Sequence, residues 1–125
     1  MSKTADLRKL ITAQLNRTQG ATYYRKAPKD AAFPYKSFEL SRVDTMSDPR
    51  DDVDLTVDIW DKAADPKTVD EIADQLERIL SKANLPQDTI LPTFFRDTRY
   101  PVDDPDPTIQ HIQLHFLVET YEKED

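Results

Sequence analysis

The chain has 125 residues, with 17 Lys and Arg against 24 Asp and Glu, so its formal net charge is −7. This length is typical of a single domain with one core, and the negative charge disfavours general binding to nucleic-acid phosphates. With no cysteine, and with 1 glycine against 9 prolines, the chain lacks the residues for disulfides, thiolate metal sites and the glycine-rich loops that bind nucleotides.

In the first half of the chain, the spacing of apolar residues predicts one helix and two strands. Helical spacing predicts an amphipathic helix over residues 4–16, and Gly20 is suited to the exit from this helix. A short aromatic strand follows, and then an extended strand over residues 35–43. The polar stretch over residues 44–52 predicts a long hairpin loop rather than a tight turn.

In the second half, the pattern predicts a strand, a helix and two more strands. Strict alternation of apolar and polar residues predicts a half-buried strand over residues 53–60. An Asp-Pro pair predicts the start of a second helix, which continues to about residue 83. Residues 89–100 and 112–119 are predicted to form the last two strands, separated by an acidic loop rich in proline.

The predicted order is therefore α-β-β-β-α-β-β over a single domain spanning residues 1–125. An α+β fold, with two helices packed on one face of a mainly antiparallel sheet, buries the apolar faces most simply. Residues 1–10 lack the apolar stretch of a secretory signal, and no run of apolar residues is long enough to span a membrane. We therefore expect synthesis in the cytoplasm and no membrane association.

The acidic and histidine pairs do not have the spacing of a catalytic or metal site. Asp54 and Asp58 share one face of a predicted strand, where four residues separate them by about 14 Å. That distance exceeds the separation of a glycosidase carboxylate pair. His111 and His115 are separated in the same way, which disfavours shared zinc ligation. We therefore predict a non-enzymatic protein with no catalytic, cofactor-binding or metal-binding residues, although weak binding of a divalent cation by the acidic loops is an alternative.

Several short segments stand at characteristic places in this order of elements. Phe33-Pro34-Tyr35 opens the first long strand, Val57-Asp58-Ile59-Trp60 precedes the second helix, and Phe95-Arg96-Asp97 precedes the Asp-Pro loop. With this order and spacing, nearly the whole chain resembles the tail-completion, or tail-terminator, family of siphophage and prophage virions.

The resemblance implies a structural virion protein at the junction of head and tail. It implies a homo-oligomeric ring, commonly hexameric, that terminates the tail tube and joins it to the head completion complex. The partners implied are the tail tube protein and the head completion protein. The acidic charge suits a channel wall along which DNA passes as cargo without specific binding.

Ring assembly requires two different patches of one subunit to meet in neighbouring copies. We predict that arginines form one patch and that acidic loops form the other. The candidate interface residues are Arg42, Asp48, Arg50, Asp51, Asp52, Arg96, Arg99, Asp103, Asp104 and Asp106. Alternative functions are a head–tail adaptor, a minor tail protein, or an acidic host-directed regulatory or inhibitory domain that binds a basic partner.

Overall fold

The computed structural model describes residues 3–47, 50–81 and 90–122. In chain order, the elements are α1 (Lys3–Leu15), β1 (Ala21–Tyr24), β2 (Tyr35–Ser47), β3 (Arg50–Lys62), α2 (Lys67–Leu80), β4 (Ile90–Pro101) and β5 (Ile109–Glu122). The predicted order of helices and strands and the predicted α+β fold are confirmed.

The five strands form one sheet in the order β1-β2-β3-β5-β4. The β1–β2 pair is parallel and the other three pairs are antiparallel. The β3–β5 pair forms the middle of the sheet and runs without a register shift from Arg50 opposite Tyr121 to Lys62 opposite Ile109. This continuous register fixes which side chains of the two strands lie next to each other.

Both helices pack on the same face of the sheet, which we call the helix-covered face. The odd-numbered residues of β3 and the even-numbered residues of β5 point to it, as the alternation in the sequence predicts. Together with α1 and α2 they form one apolar core: Leu7, Leu10, Ile11, Leu15, Phe38, Leu55, Val57, Ile59, Val69, Ile72, Ala73, Leu76, Leu80, Ile90, Phe94, Ile112, Leu114, Phe116 and Val118.

The predicted hairpin loop over residues 44–52 is wrong. β2 continues to Ser47 and β3 begins at Arg50, with register shifts in β2 at Arg42/Asp44 and Asp44/Ser47. The acidic start of β3 is buried in the sheet, since Asp51 and Asp52 are only 5% and 7% exposed. Asp51 and Asp52 lie in a strand because β5 supplies backbone partners along the whole length of β3. Pairing of this kind overrides a low intrinsic preference for strand.

The connection from α1 to β2 is held by a buried amine. Lys36 is fully buried, and its Nζ donates hydrogen bonds to the carbonyl oxygens of Gln19 at 2.8 Å and Gly20 at 2.7 Å. Gly20 has a φ of +91°, and a Cβ at this position would collide with the carbonyl oxygen of Pro34. Gly20 therefore allows the chain to turn from α1 into β1 directly against the start of β2.

The start of α2 differs from the prediction by one position. Pro66 occupies the N-cap, not the first helical position, and Lys67 N–H donates to the Asp65 carboxylate at 3.1 Å. The Asp-Pro pair thus marks the start of the helix, as expected, with the carboxylate accepting from a first-turn amide.

Candidate functional site

The opposite face of the sheet carries no helix in the part of the chain that the structure describes, and we call it the helix-free face. It is formed by alternate residues of all five strands. Its principal side chains are Tyr23, Tyr35, Ser37, Glu39, Arg50, Asp52, Asp54, Thr56, Asp58, Trp60, Leu91, Thr93, Phe95, Tyr100, His111, Gln113, His115, Leu117, Glu119 and Tyr121.

Aromatic rings line one end of the helix-free face and form what we call the aromatic row. Tyr35 contacts Tyr23, Phe33 and Trp60, with ring centroids 6.0, 5.3 and 5.1 Å apart. Trp60 in turn stacks on His111 at 4.4 Å. Burial, and secondarily the nearby Asp104 carboxylate, raises the pKa of the Tyr35 phenol. The row therefore extends across β1, β2, β3 and β5, beside the acidic loop that connects β4 to β5.

Next to the aromatic row, a carboxylate joins β3 to β5. Asp58 Oδ1 lies 2.7 Å from His111 Nε2 and accepts a hydrogen bond from Gln113 Nε2 at 2.9 Å. Asp58 and Asp54 are four residues apart along β3, too far for one to contact the other, so Asp58 bonds across the strands to residues of β5. Asp58 thus orients His111, which stacks on Trp60.

The same hydrogen-bond network extends to β4. The Tyr100 hydroxyl donates to Gln113 Oε1, and His115 Nε2 lies 2.9 Å from that oxygen. Thr56 Oγ1 lies 3.3 Å from His115 Nδ1. Neither histidine adjoins a second histidine, and no group of three or more His, Asp or Glu among the described residues could hold a metal ion.

A second apolar region lies at the other end of the helix-free face. Leu91 is paired with Tyr121, and Phe95 is paired with Leu117. The large hydrophobic side chains that are exposed in the described residues are Phe33, Leu91, Phe95, Tyr100 and Tyr121, at 36–43% exposure. Four of them are strand residues of the helix-free face, and Phe33 contacts Tyr35 of that face, whereas the helix-covered face buries its apolar side chains. Such a concentration is typical of a surface that contacts protein.

The predicted interface residues at the start of β3 are engaged within the chain. Arg50 Nε donates to Asp52 Oδ1 at 2.9 Å, and Arg50 Nη2 donates to Glu119 Oε2 at 3.0 Å, so these three lie together on the helix-free face. Asp51 points to the opposite face, where it lines a cavity of about 250 Å³ beside α1. For Arg42 the structure gives the backbone pairing with Val53, and Asp48 lies outside the described residues.

Arg99 connects β4 to α2 on the helix-covered face. Its Nη1 donates to Asp74 Oδ1 at 2.7 Å and to Glu77 Oε1 at 2.8 Å, and Nη2 lies 3.4 Å from Asp70 Oδ1. The hydrogen bond from Arg99 lowers the pKa of Asp74. Arg96 is more exposed, and its Nη1 lies 3.8 Å from Glu77 Oε2. The structure thus brings Arg96 and Arg99 of β4 together against the carboxylates of α2.

The predicted acidic loop between β4 and β5 is exposed and internally hydrogen-bonded. Asp106 N–H donates to Asp104 Oδ1 at 2.9 Å, and Asp106 Oδ1 accepts from the Thr108 amide and hydroxyl at 2.9 and 2.7 Å. These bonds from Thr108 lower the pKa of Asp106. Asp103 is also exposed. The loop is therefore an accessible group of carboxylates near the aromatic row.

The structure also brings together cations that are not among the predicted interface residues. Arg8 of α1 and Arg25 after β1 lie over the ring of Tyr24, with guanidinium carbons 4.8 and 5.4 Å from its centroid. With the exposed Lys9 and Lys26 they form what we call the basic edge. The signal was present in the charge distribution, since residues 1–36 carry 8 Lys and Arg against 2 Asp, and the remainder carries 9 against 22 Asp and Glu.

Three comparisons place this chain among known proteins. Residues 4–121 match the model of a family described as "Tail completion protein gp17". No curated protein matches. A chain from a solved structure, "Virion of native gene transfer agent (GTA) particle", matches with a TM-score of 0.70 and 19% sequence identity, covering 96% of this chain and 91% of that chain. At this identity the structural match shows a shared fold. The helices of the described residues include none with the length and apolarity needed to cross a membrane.

Proposed function

The chain belongs to the tail completion protein family and is a structural protein of the phage tail, and we propose that it assembles as a hexameric ring that terminates the tail tube. In this role the ring closes the tube after tail assembly and joins it to the head completion protein. The role is structural, without catalytic turnover. The observation that carries the proposal is the family match over residues 4–121.

The distribution of apolar surface supports assembly. Five large hydrophobic side chains are exposed on or beside the helix-free face, whereas the apolar side chains of the described core are buried between the helix-covered face and the helices. Burial of such a surface is favourable by about 25 cal/mol for each Å² of apolar area removed from water. Contact with another protein is the ordinary way for a soluble domain to gain this free energy.

The charge distribution supports a ring in which unlike surfaces meet. The first 36 residues have an excess of cations, and the rest of the chain has an excess of carboxylates. A head-to-tail contact brings opposite charges together, whereas a symmetric contact between two acidic faces brings like charges together. The acidic excess also suits a channel through which DNA passes without binding.

The proposal is tested by measuring molar mass in solution. Light scattering after size-exclusion chromatography, over a concentration series, should detect a species of six 14.5 kDa chains, about 87 kDa, that is ring-shaped in electron micrographs viewed end-on. Purified tails should carry the same ring at one end. A chain that is monomeric at every concentration and absent from tail ends contradicts the proposal. A different copy number at the same place favours a head–tail adaptor or a minor tail protein.

A further inference from the structure

We infer that the helix-free face is covered by the basic edge of a second copy of this chain. The inference rests on the proposed ring and names the two surfaces that meet in it. In this contact one copy provides the helix-free face of its sheet, and the next copy provides its basic edge.

The helix-free face combines apolar and acidic groups in a fixed pattern. The aromatic row lies at one end and the apolar group of Leu91, Phe95 and Tyr121 lies at the other. Between them, the acidic band consists of Glu39 and Asp54 with the hydrogen-bonded Asp58. Glu39 and Asp54 are exposed and lie diagonally on neighbouring strands, since Asp54 is opposite Ser41 and Glu39 is opposite Thr56. Diagonal positions of this kind are about 7–8 Å apart.

The two exposed carboxylates of the acidic band, Glu39 and Asp54, are not neutralised by cations of the described residues. Within the ranges that the structure describes, neither Glu39 nor Asp54 has a cationic partner, whereas Asp52 and Glu119 on the same face are paired with Arg50. Exposed carboxylates beside an apolar surface are suited to a partner that supplies cations together with aliphatic or planar surface. Arginine and lysine provide both, because their charged groups are carried on apolar stems.

The basic edge has the complementary chemistry. The guanidinium groups of Arg8 and Arg25 are positioned over the Tyr24 ring and make no ion pair with the described carboxylates. The edge lies on α1 and at the end of β1, so it is distinct from the helix-free face of its own copy. Two distinct complementary patches make a contact that repeats from copy to copy and can close into a ring.

A contact between two helix-free faces is disfavoured by the same charges. On this face the described strands carry the carboxylates of Glu39, Asp52, Asp54, Asp58 and Glu119 against the cations of Arg50 and Lys62. Two such surfaces repel each other, whereas the basic edge is attracted to either of them. The second copy therefore binds through its basic edge.

Trp60 reports directly on coverage of this face, because it is the only tryptophan in the chain and belongs to the aromatic row. We would measure its emission maximum and its quenching by acrylamide over the concentration range in which the molar mass rises. The expected result is a blue shift and a loss of quenching that follow ring formation. A ring in which Trp60 stays as quenchable as in the monomer overturns the inference and leaves the proposed ring intact.

Charge reversal identifies the occupant. Asp54→Lys and Arg8→Glu should each raise the dissociation constant of the assembly by about tenfold or more, because each places like charges in the contact. The double variant has the net charge of the wild type and should recover assembly. Glu71→Lys, an exposed charge reversal on α2, is the matched control and should assemble normally.

Three other results would contradict the inference. Failure of the double variant to recover assembly, with both single variants folded by circular dichroism, contradicts the pairing of these two surfaces. Protection of Trp60 only after tail tubes are added makes the tube protein the occupant and overturns the inference. A chain that never assembles and is absent from tails overturns the inference together with the proposed function.

Discussion

At the scale of single residues, Lys36 makes a testable link between burial and pH. Burial lowers the pKa of its amine to about 8, whereas the unfolded chain retains the ordinary value of 10.5. Between these two values the unfolded state binds more protons, so the free energy of unfolding rises with pH. Relative to Lys36→Met, which removes the titrating group, we expect the wild type to gain about 1–3 kcal/mol from pH 8 to pH 10.5.

This dependence is measured by urea denaturation of both proteins at several pH values. The comparison uses the difference in slope with pH, because Lys36→Met also removes the hydrogen bonds to Gln19 and Gly20 and lowers stability at every pH. Parallel curves for the two proteins contradict the proposed titration of a buried amine.

Gly20 provides a second prediction at this scale. The φ of +91° is unfavourable for any residue with a Cβ, and the Cβ of alanine would meet the carbonyl oxygen of Pro34. We expect Gly20→Ala to lower the free energy of unfolding by about 1–3 kcal/mol. Gln19→Ala, at the exposed neighbouring position, is the control and should leave stability within about 0.5 kcal/mol of the wild type. Equal effects of the two changes in thermal denaturation would contradict this account.

At the scale of elements, Arg99 attaches β4 to α2 through three carboxylates. Its side chain is 28% exposed and Glu77 is 13% exposed, so the pair is partly protected from solvent, whereas Arg96 is 59% exposed. We expect Arg99→Ala to lower the free energy of unfolding by about 1–2 kcal/mol and Arg96→Ala by less than about 0.5 kcal/mol. Denaturant midpoints test the difference, and similar values for both variants would contradict it.

The sequence predicted the elements better than their ends. Strict alternation in β3 and β5 predicted which residues face the core, because side chains on a strand alternate between two faces. The same reasoning failed for residues 44–47 and 50–52. Their polar composition suggested a loop, whereas pairing of β2 with β3 and of β3 with β5 imposes strands there. Local pattern does not specify how long a neighbouring strand is.

The side chains of the candidate site come together only through pairing of strands that are far apart in the sequence, which local patterns do not predict. Asp58 and His111 are 53 positions apart, and only the pairing of β3 with β5 brings them within 2.7 Å. The interface role of the selected arginines stays a prediction, which was made because they are charged and lie near loops. The structure adds that Arg50 and Arg99 are paired with carboxylates of the same chain, and it gathers Arg8 and Arg25 at an edge that no short motif marks.

At the scale of the whole molecule, net charge and local charge act on assembly in opposite directions. Each copy carries −7, so copies repel over long distances, whereas the basic edge and the acidic band attract at short distance. The Debye length is about 30 Å at 0.01 M salt, 10 Å at 0.1 M and 3 Å at 1 M, so moderate salt screens the repulsion first. We therefore expect the dissociation constant of the ring to fall from 0.01 to 0.1 M salt and to rise again towards 1 M.

Molar mass measured at fixed protein concentration over this salt range tests the expectation. Phe95→Ala is an informative control, because it removes apolar contact area on the helix-free face without changing charge. It should weaken assembly at every salt concentration and retain the minimum in the dissociation constant, since the minimum arises from charge alone. Assembly that strengthens continuously up to 1 M salt would mean that apolar burial without opposite charges holds the copies together, and the charge reversals proposed above would then have little effect.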